Sequence, residues 1–83
     1  MNETIRAILR KLANLPVAVE DLTDDADLYA AGLSSFASVQ VMLGIEESFD
    51  IEFPDNLLNR KSFASIQAIE ATVRQIVKAN EAA

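Results

Sequence analysis

Ile5, Ile8, Leu9 and Leu12 recur at i, i+3, i+4 and i+7, which puts four apolar side chains on one face of a helix. Phe63, Ile66, Ile69, Val73, Ile76 and Val77 form a second stripe of helical period near the other end. No segment alternates apolar and polar residues as a half-buried strand does, and no repeat is present. A chain with only helix-period stripes builds its core by packing helix on helix. The expected fold is all-α, a small four-helix bundle of three longer helices and one short one. At 83 residues it is expected to be a single domain, residues 1–83. The ordered bundle is expected over about 3–79, with a short tail at 80–83. Apolar residues make up 51% of the chain, enough for a real core.

Asn2 is placed to cap the first helix, Arg10 and Lys11 suit its C-terminal end, and Pro16 marks its stop. That gives a first helix over about residues 3–14. The second is expected from Phe36 to Phe49, capped by Ser34 or Ser35. It carries two apolar stripes. Val41, Met42, Ile45 and Phe49 share one side with small Ser38. Phe36, Val39 and Leu43 lie nearly opposite, bordered by Gln40, Glu46 and Glu47. One apolar face is enough to join a core, so the second face points to a docking partner or, as the less favoured alternative, to Phe36 and Leu43 covering the long loop before the helix. Gly44, inside this helix, costs about 1 kcal/mol relative to alanine, which suggests that a neighbouring segment needs the space. Pro54 and Asp55 open a short third helix, Asn56 to Asn59 or Arg60, with Leu57 and Leu58 inward. Ser62 or Ser65 caps the last helix, which fades by Asn80.

Residues 15–34 form a long connection rich in acids, yet Val17, Val19, Leu22, Leu28 and Leu33 are spaced through it. A loop this long in a small domain is either functional or contains a further element. The apolar residues suggest that it is pinned to the core, with a short helical turn starting at Thr23 or Asp24. Gly32 is expected to supply a backbone angle that other residues adopt only at a cost. A calcium loop counted from Asp25 fails. Tyr29 stands at a ligand position, Ala30 replaces the central glycine and Phe36 the closing glutamate.

The chain has neither cysteine nor histidine. That removes disulfides, thiolate nucleophiles, and the commonest general base and metal ligand. Only carboxylates remain as ready acid–base groups. Glu46 and Glu47 are expected to point outward to solvent on a helix, away from any enclosed site. No catalytic residue and no metal are assigned, and the chain is read as not an enzyme. The net charge is −6, and from Leu12 to Asn59 there are ten acids and no lysine or arginine. Such a middle repels nucleic acid and anionic lipid and attracts basic protein surfaces. No apolar run approaches the roughly 20 residues that span a bilayer, and Met1 to Arg6 lacks the apolar stretch of a signal peptide. A cytoplasmic monomer without nucleic-acid or membrane partners is expected.

Asp27-Leu28, Gly32-Leu33-Ser34-Ser35-Phe36, the run from Ile45 to Asp55, and Phe63-Ala64-Ser65-Ile66 together resemble the acyl carrier protein family. The resemblance covers nearly the whole chain. It implies that a phosphopantetheinyl transferase joins a 4'-phosphopantetheine arm from coenzyme A to a serine hydroxyl. The arm's thiol then holds an acyl or aminoacyl group as a thioester. By position the serine is Ser35; the alternative, Ser34, would put the register one residue out against Glu46, Glu47 and Phe49. Further partners implied are an acyl- or aminoacyl-loading ligase and a downstream acyl-accepting enzyme. They would dock on Phe36, Val39 and Leu43, with Gln40, Glu46 and Glu47 beside them. The chain departs from the family's fatty-acid type at several points. Ser34 replaces the usual aspartate, Ala37 and Gln40 stand where acids are typical, and Phe36 replaces a common leucine. These differences suggest a specialised carrier with a dedicated partner, and the chain looks nearest the group that accepts amino acids. The competing expectation is a non-covalent acidic adaptor that binds a basic partner through Phe36, Val39 and Leu43.

Overall fold

A computed structural model of the protein describes residues 1–82. Its architecture is all-α: α1 (Asn2–Leu12), α2 (Ser35–Phe49) and α3 (Ile66–Ala82), with short 3-10 turns between them. The three stripes read from the sequence meet in one core. Ile5 and Leu9 of α1, Val41 and Ile45 of α2, and Ile66, Ile69 and Val73 of α3 are fully buried there.

Local chemistry sets the helix ends. Met1, not Asn2, precedes α1; Asn2 lies inside the helix and turns its side chain to Arg6 and Asp24. The helix stops at Leu12, short of the expected residue 14, because Asn14 takes a left-handed conformation with φ 51°. Asp50 ends α2 in the same way, with φ 53°, and the Ile51 N–H donates to the Glu46 carbonyl at 3.0 Å. Of the two candidate caps for α3, Ser65 takes the role, its Oγ accepting the Ala68 N–H at 3.0 Å. The last helix runs through Ala82, past the expected fade at Asn80; Ala83 lies outside the described residues.

The short third helix takes a different form. Two 3-10 turns, Asp55–Leu57 and Arg60–Phe63, occupy the segment. The Asn59 side chain divides them by accepting the Ser62 N–H at 3.0 Å, which starts a new turn where a continuous helix was expected. Leu57 packs on the core as expected. Leu58 does not: it remains 44% exposed.

The long connection is pinned as its apolar residues suggested. Val19, Leu28 and Leu33 are buried and Leu22 packs beside them, whereas Val17 stays on the surface. A 3-10 turn at Val19–Asp21 precedes the single turn that begins at Thr23, where the Ala26 N–H reaches the Thr23 carbonyl. The Leu28 N–H donates to the Ala64 carbonyl at 2.7 Å, and the Gln67 N–H to the Asp24 carbonyl at 2.8 Å. These bonds stitch the connection to the start of α3.

Polar contacts hold the other side. The Arg6 guanidinium bonds the Asn2 side chain, the Val19 carbonyl and the Asp24 carboxylate, and Arg10 pairs with Glu20. The Asn2 amide and Arg6 together hold the Asp24 carboxyl below its usual range.

Two outcomes test this arrangement. Gly32 sits at φ 120°, and a Cβ there would come within 2.6 Å of the rigid Pro16 ring. Gly32→Ala is expected to lower unfolding stability by about 1–3 kcal/mol in urea. A Cβ at Gly44 would meet the movable end of Leu12 at 2.7 Å and Ile8 Cγ2 at 3.1 Å. Gly44→Ala should therefore change stability by less than about 1 kcal/mol, since the gain in helix propensity offsets the displacement. The second outcome concerns pH. A carboxyl held below its unfolded value stabilises the fold above that unfolded value, and the contribution disappears as pH falls through the folded one. The melting-temperature gap between wild type and Asp24→Asn should accordingly be full at neutral pH and close on acidification below the ordinary aspartate range.

Candidate functional site

The site is built where the connection hands over to α2. The Asp27 carboxylate accepts the N–H groups of Tyr29 and Ala30 at 3.0 and 3.2 Å, which curls the chain. The Leu33 N–H closes the turn on the Leu28 carbonyl at 2.9 Å. Burial of Leu28 and Leu33 fixes both ends of this turn. Ser34 then takes an extended conformation, and its Oγ accepts the Ala37 N–H at 3.0 Å, so Ser34 is the cap of α2.

Ser35 is the first residue of the helix and is exposed. Among the described residues its hydroxyl makes no hydrogen bond, while its carbonyl accepts from the Ser38 hydroxyl at 2.7 Å. The first turn of α2 contains no carboxylate. The free hydroxyl, the amides of a helix start and the lack of an opposing acid fit a phosphate-linked group attached here.

The residues of α2, including those expected to dock a partner, separate by face. Ala37, Val41 and Ile45 turn into the core. Phe36 is 76% exposed, and Val39 and Leu43 are each 49% exposed. Glu47 is exposed on the same side, and Gln40 is half-buried at its edge. Glu46 departs from the expectation of an outward charge. It is half-buried, and its carboxylate accepts the Phe53 N–H at 2.8 Å, tying the end of α2 to the segment beyond it.

A groove that sequence reasoning missed runs beside Ser35. It has a volume of about 570 Å³ and is lined by Ser35, Val39 and Met42 of α2 together with Tyr29, Leu58 and Arg60. The Arg60 guanidinium lies over the Tyr29 ring, 4.0 Å from its centroid. No short motif joins these residues. The one legible signal was that Arg60 is the first basic residue after the acidic stretch.

A helical core, a pinned loop and an exposed serine at a helix start define a carrier domain. The comparisons agree: residues 3–78 match the family described as "Phosphopantetheine attachment site", and the chain belongs to that family of carriers. It is a carrier protein that holds acyl or aminoacyl cargo as a thioester on a phosphopantetheine arm. Among its relatives, the aminoacyl carrier protein of Agrobacterium fabrum (strain C58) is 72% identical over 83 residues, the full length of both chains. A solved complex of an engineered Bradyrhizobium japonicum glycine:[carrier protein] ligase with a carrier protein from Agrobacterium tumefaciens and AMP matches with a TM-score of 0.88. That match is 76% identical and covers 89% of this chain and 99% of the other. A Bradyrhizobium japonicum glycine:[carrier protein] ligase complexed with glycylated carrier protein matches at 31% identity and a TM-score of 0.74, covering 86% of this chain and 95% of the other. Among the described residues, no helix is long and apolar enough to cross a membrane.

The two serines have separable tasks. Ser34→Ala should lower unfolding stability by about 1 kcal/mol, the usual cost of a lost helix cap, whereas Ser35→Ala should leave it nearly unchanged. Urea unfolding of the two variants side by side checks this.

Proposed function

We propose that Ser35 is the attachment point of the phosphopantetheine arm and that the cargo is an amino acid, glycine first among the candidates. The observation that carries the site is the exposed Ser35 hydroxyl, without a partner among the described residues, at the first position of α2. What supports an amino acid as cargo is the likeness to the aminoacyl carrier protein of Agrobacterium fabrum and to carriers solved with glycine:[carrier protein] ligases.

Attachment forms a bond between Ser35 Oγ and the phosphorus next to pantetheine in coenzyme A. The bond from that phosphorus to the bridging oxygen of the diphosphate breaks, and adenosine 3',5'-bisphosphate leaves. The hydroxyl proton passes to a base of the transferase, since no histidine is present in this chain. Once attached, the arm supplies a thiol, which the cysteine-free chain otherwise lacks. The helix start favours the phosphate's charge through its amide dipoles, and no carboxylate in the first turn opposes it.

Phe36, Val39 and Leu43 form the anchor for a loading ligase, with Gln40 at the edge and Glu47 steering basic side chains. Glu46 contributes by holding the end of α2, with less freedom to meet a partner. A carrier must also leave, so the interface is small and transient and the chain works as a monomer. The protein is a substrate of its partners and not itself a catalyst. A single carrier domain over 1–83 and a cytoplasmic address, where the arm's donor is encountered, belong to the same reading.

Intact mass after incubation with coenzyme A and a broad-specificity phosphopantetheinyl transferase tests the site. Wild type and Ser34→Ala should each gain one arm, and Ser35→Ala none. A gain in Ser35→Ala would move the site; no gain in wild type with several transferases would leave the non-covalent adaptor. In glycine loading by a glycine:[carrier protein] ligase, Leu43→Ala should lower kcat/KM about tenfold, the effect of losing an apolar anchor. Added salt should raise KM. Loading kinetics indifferent to Leu43→Ala would remove this surface from the docking site.

A further inference from the structure

Three arginines of this chain meet one of its carboxylates: Arg6 pairs with Asp24, Arg10 with Glu20 and Arg74 with Glu70. Arg60 is different. Among the described residues it forms no ion pair, and its guanidinium rests on the face of Tyr29. In a chain with thirteen acids and a net charge of −6, an arginine without a carboxylate is the exception. Stacking on a ring occupies the flat face of a guanidinium and leaves the N–H donors on its edge pointing outward. That edge matches the oxygens of a phosphate.

Arg60 also has a defined neighbour. It and Ser35 line the same groove, together with the apolar side chains of Val39 and Met42. At about 570 Å³, the groove has the size of a small-molecule site. Because Ser35 lines it, a group joined to Ser35 starts at the groove. Pantetheine carries a phosphodiester at its joined end and a branched dimethyl carbon next to it. The groove offers a cation and apolar lining residues for those two groups.

We propose that Arg60, held on Tyr29, binds the phosphodiester of the arm and lays the arm back in this groove while no partner enzyme holds it. The proposal rests on Ser35 as the attachment point. Arg60 is thus a positioning residue for the carrier's resting state. One solvent-exposed ion pair holds weakly, which lets a partner draw the arm out.

The test uses nuclear magnetic resonance of apo and holo protein, with intact mass recording that each sample carries the arm. In wild type, conversion to holo should shift the Arg60 Nε–H and Tyr29 ring resonances and give Overhauser contacts from the pantetheine methyls to Tyr29 or Met42. Holo Arg60→Gln should weaken these contacts, its docked-to-free ratio falling about 1.5- to 5-fold, the scale of one exposed ion pair. Holo Lys61→Gln, with the same charge change one residue on, should behave as wild type. Apo Arg60→Gln should keep the wild-type circular dichroism and melting temperature. An arm present on Ser35 with no shift at Arg60 or Tyr29 overturns the proposal and leaves the attachment site standing. The same weakening in Lys61→Gln also overturns it, since the effect is then net charge alone. Slower ligase loading of Arg60→Gln with unchanged contacts in the holo form would assign Arg60 to partner steering instead. Absence of a mass gain at Ser35 would overturn both readings together.

Discussion

Leu28 holds the connection between α1 and α2 to the rest of the molecule. Its side chain is fully buried, and its N–H donates to the Ala64 carbonyl just before α3. That one residue joins an acidic surface loop to the core by burial and by a backbone bond at once. Leu33 repeats the anchor at the far end of the turn, and its N–H returns to the Leu28 carbonyl. Between them Gly32 takes a conformation that a side chain would strain, close against Pro16. The place where α2 begins, and therefore the place of Ser35, follows from these contacts.

Helix α2 faces two ways. Its inner face is buried in the core with α1 as its helical neighbour, while Phe36, Val39 and Leu43 stay largely in water. Burying a side chain such as Phe36 would be worth about 1.5–3 kcal/mol, and the fold does without it. An apolar row left on the surface of an acidic domain suits reversible contact with a basic partner. Gly44 lets α1 come close behind that row, so the helix is held firmly while its outer face stays open.

Charge is arranged by the same logic. Arg6 and Arg10 are drawn to the acids of the connection and hold it against α1. Ser34, where the family has an aspartate, still supplies the oxygen that caps α2. A neutral cap does this without placing a carboxylate next to Ser35. Glu46 is drawn in by the Phe53 amide, whereas Glu47 stays in solvent. Two adjacent glutamates in the sequence thus have different roles in the fold. Their difference depends on the chain after Asp50, which no helical wheel contains.

The sequence by itself determined the three helices, the two faces of α2 and the pinned connection, and its resemblance to the carrier family singled out Ser35 as the proposed attachment point. Each follows from local periodicity, from capping chemistry or from a motif whose residues lie close together along the chain. The broken short helix, the exposed Leu58 and the structural role of Glu46 were decided only by the tertiary structure. So was the groove that brings Tyr29, Ser35 and Arg60 together. Those features depend on which amide or ring a side chain meets across long separations in sequence. Periodicity places a residue on a face; only packing decides what lies opposite it.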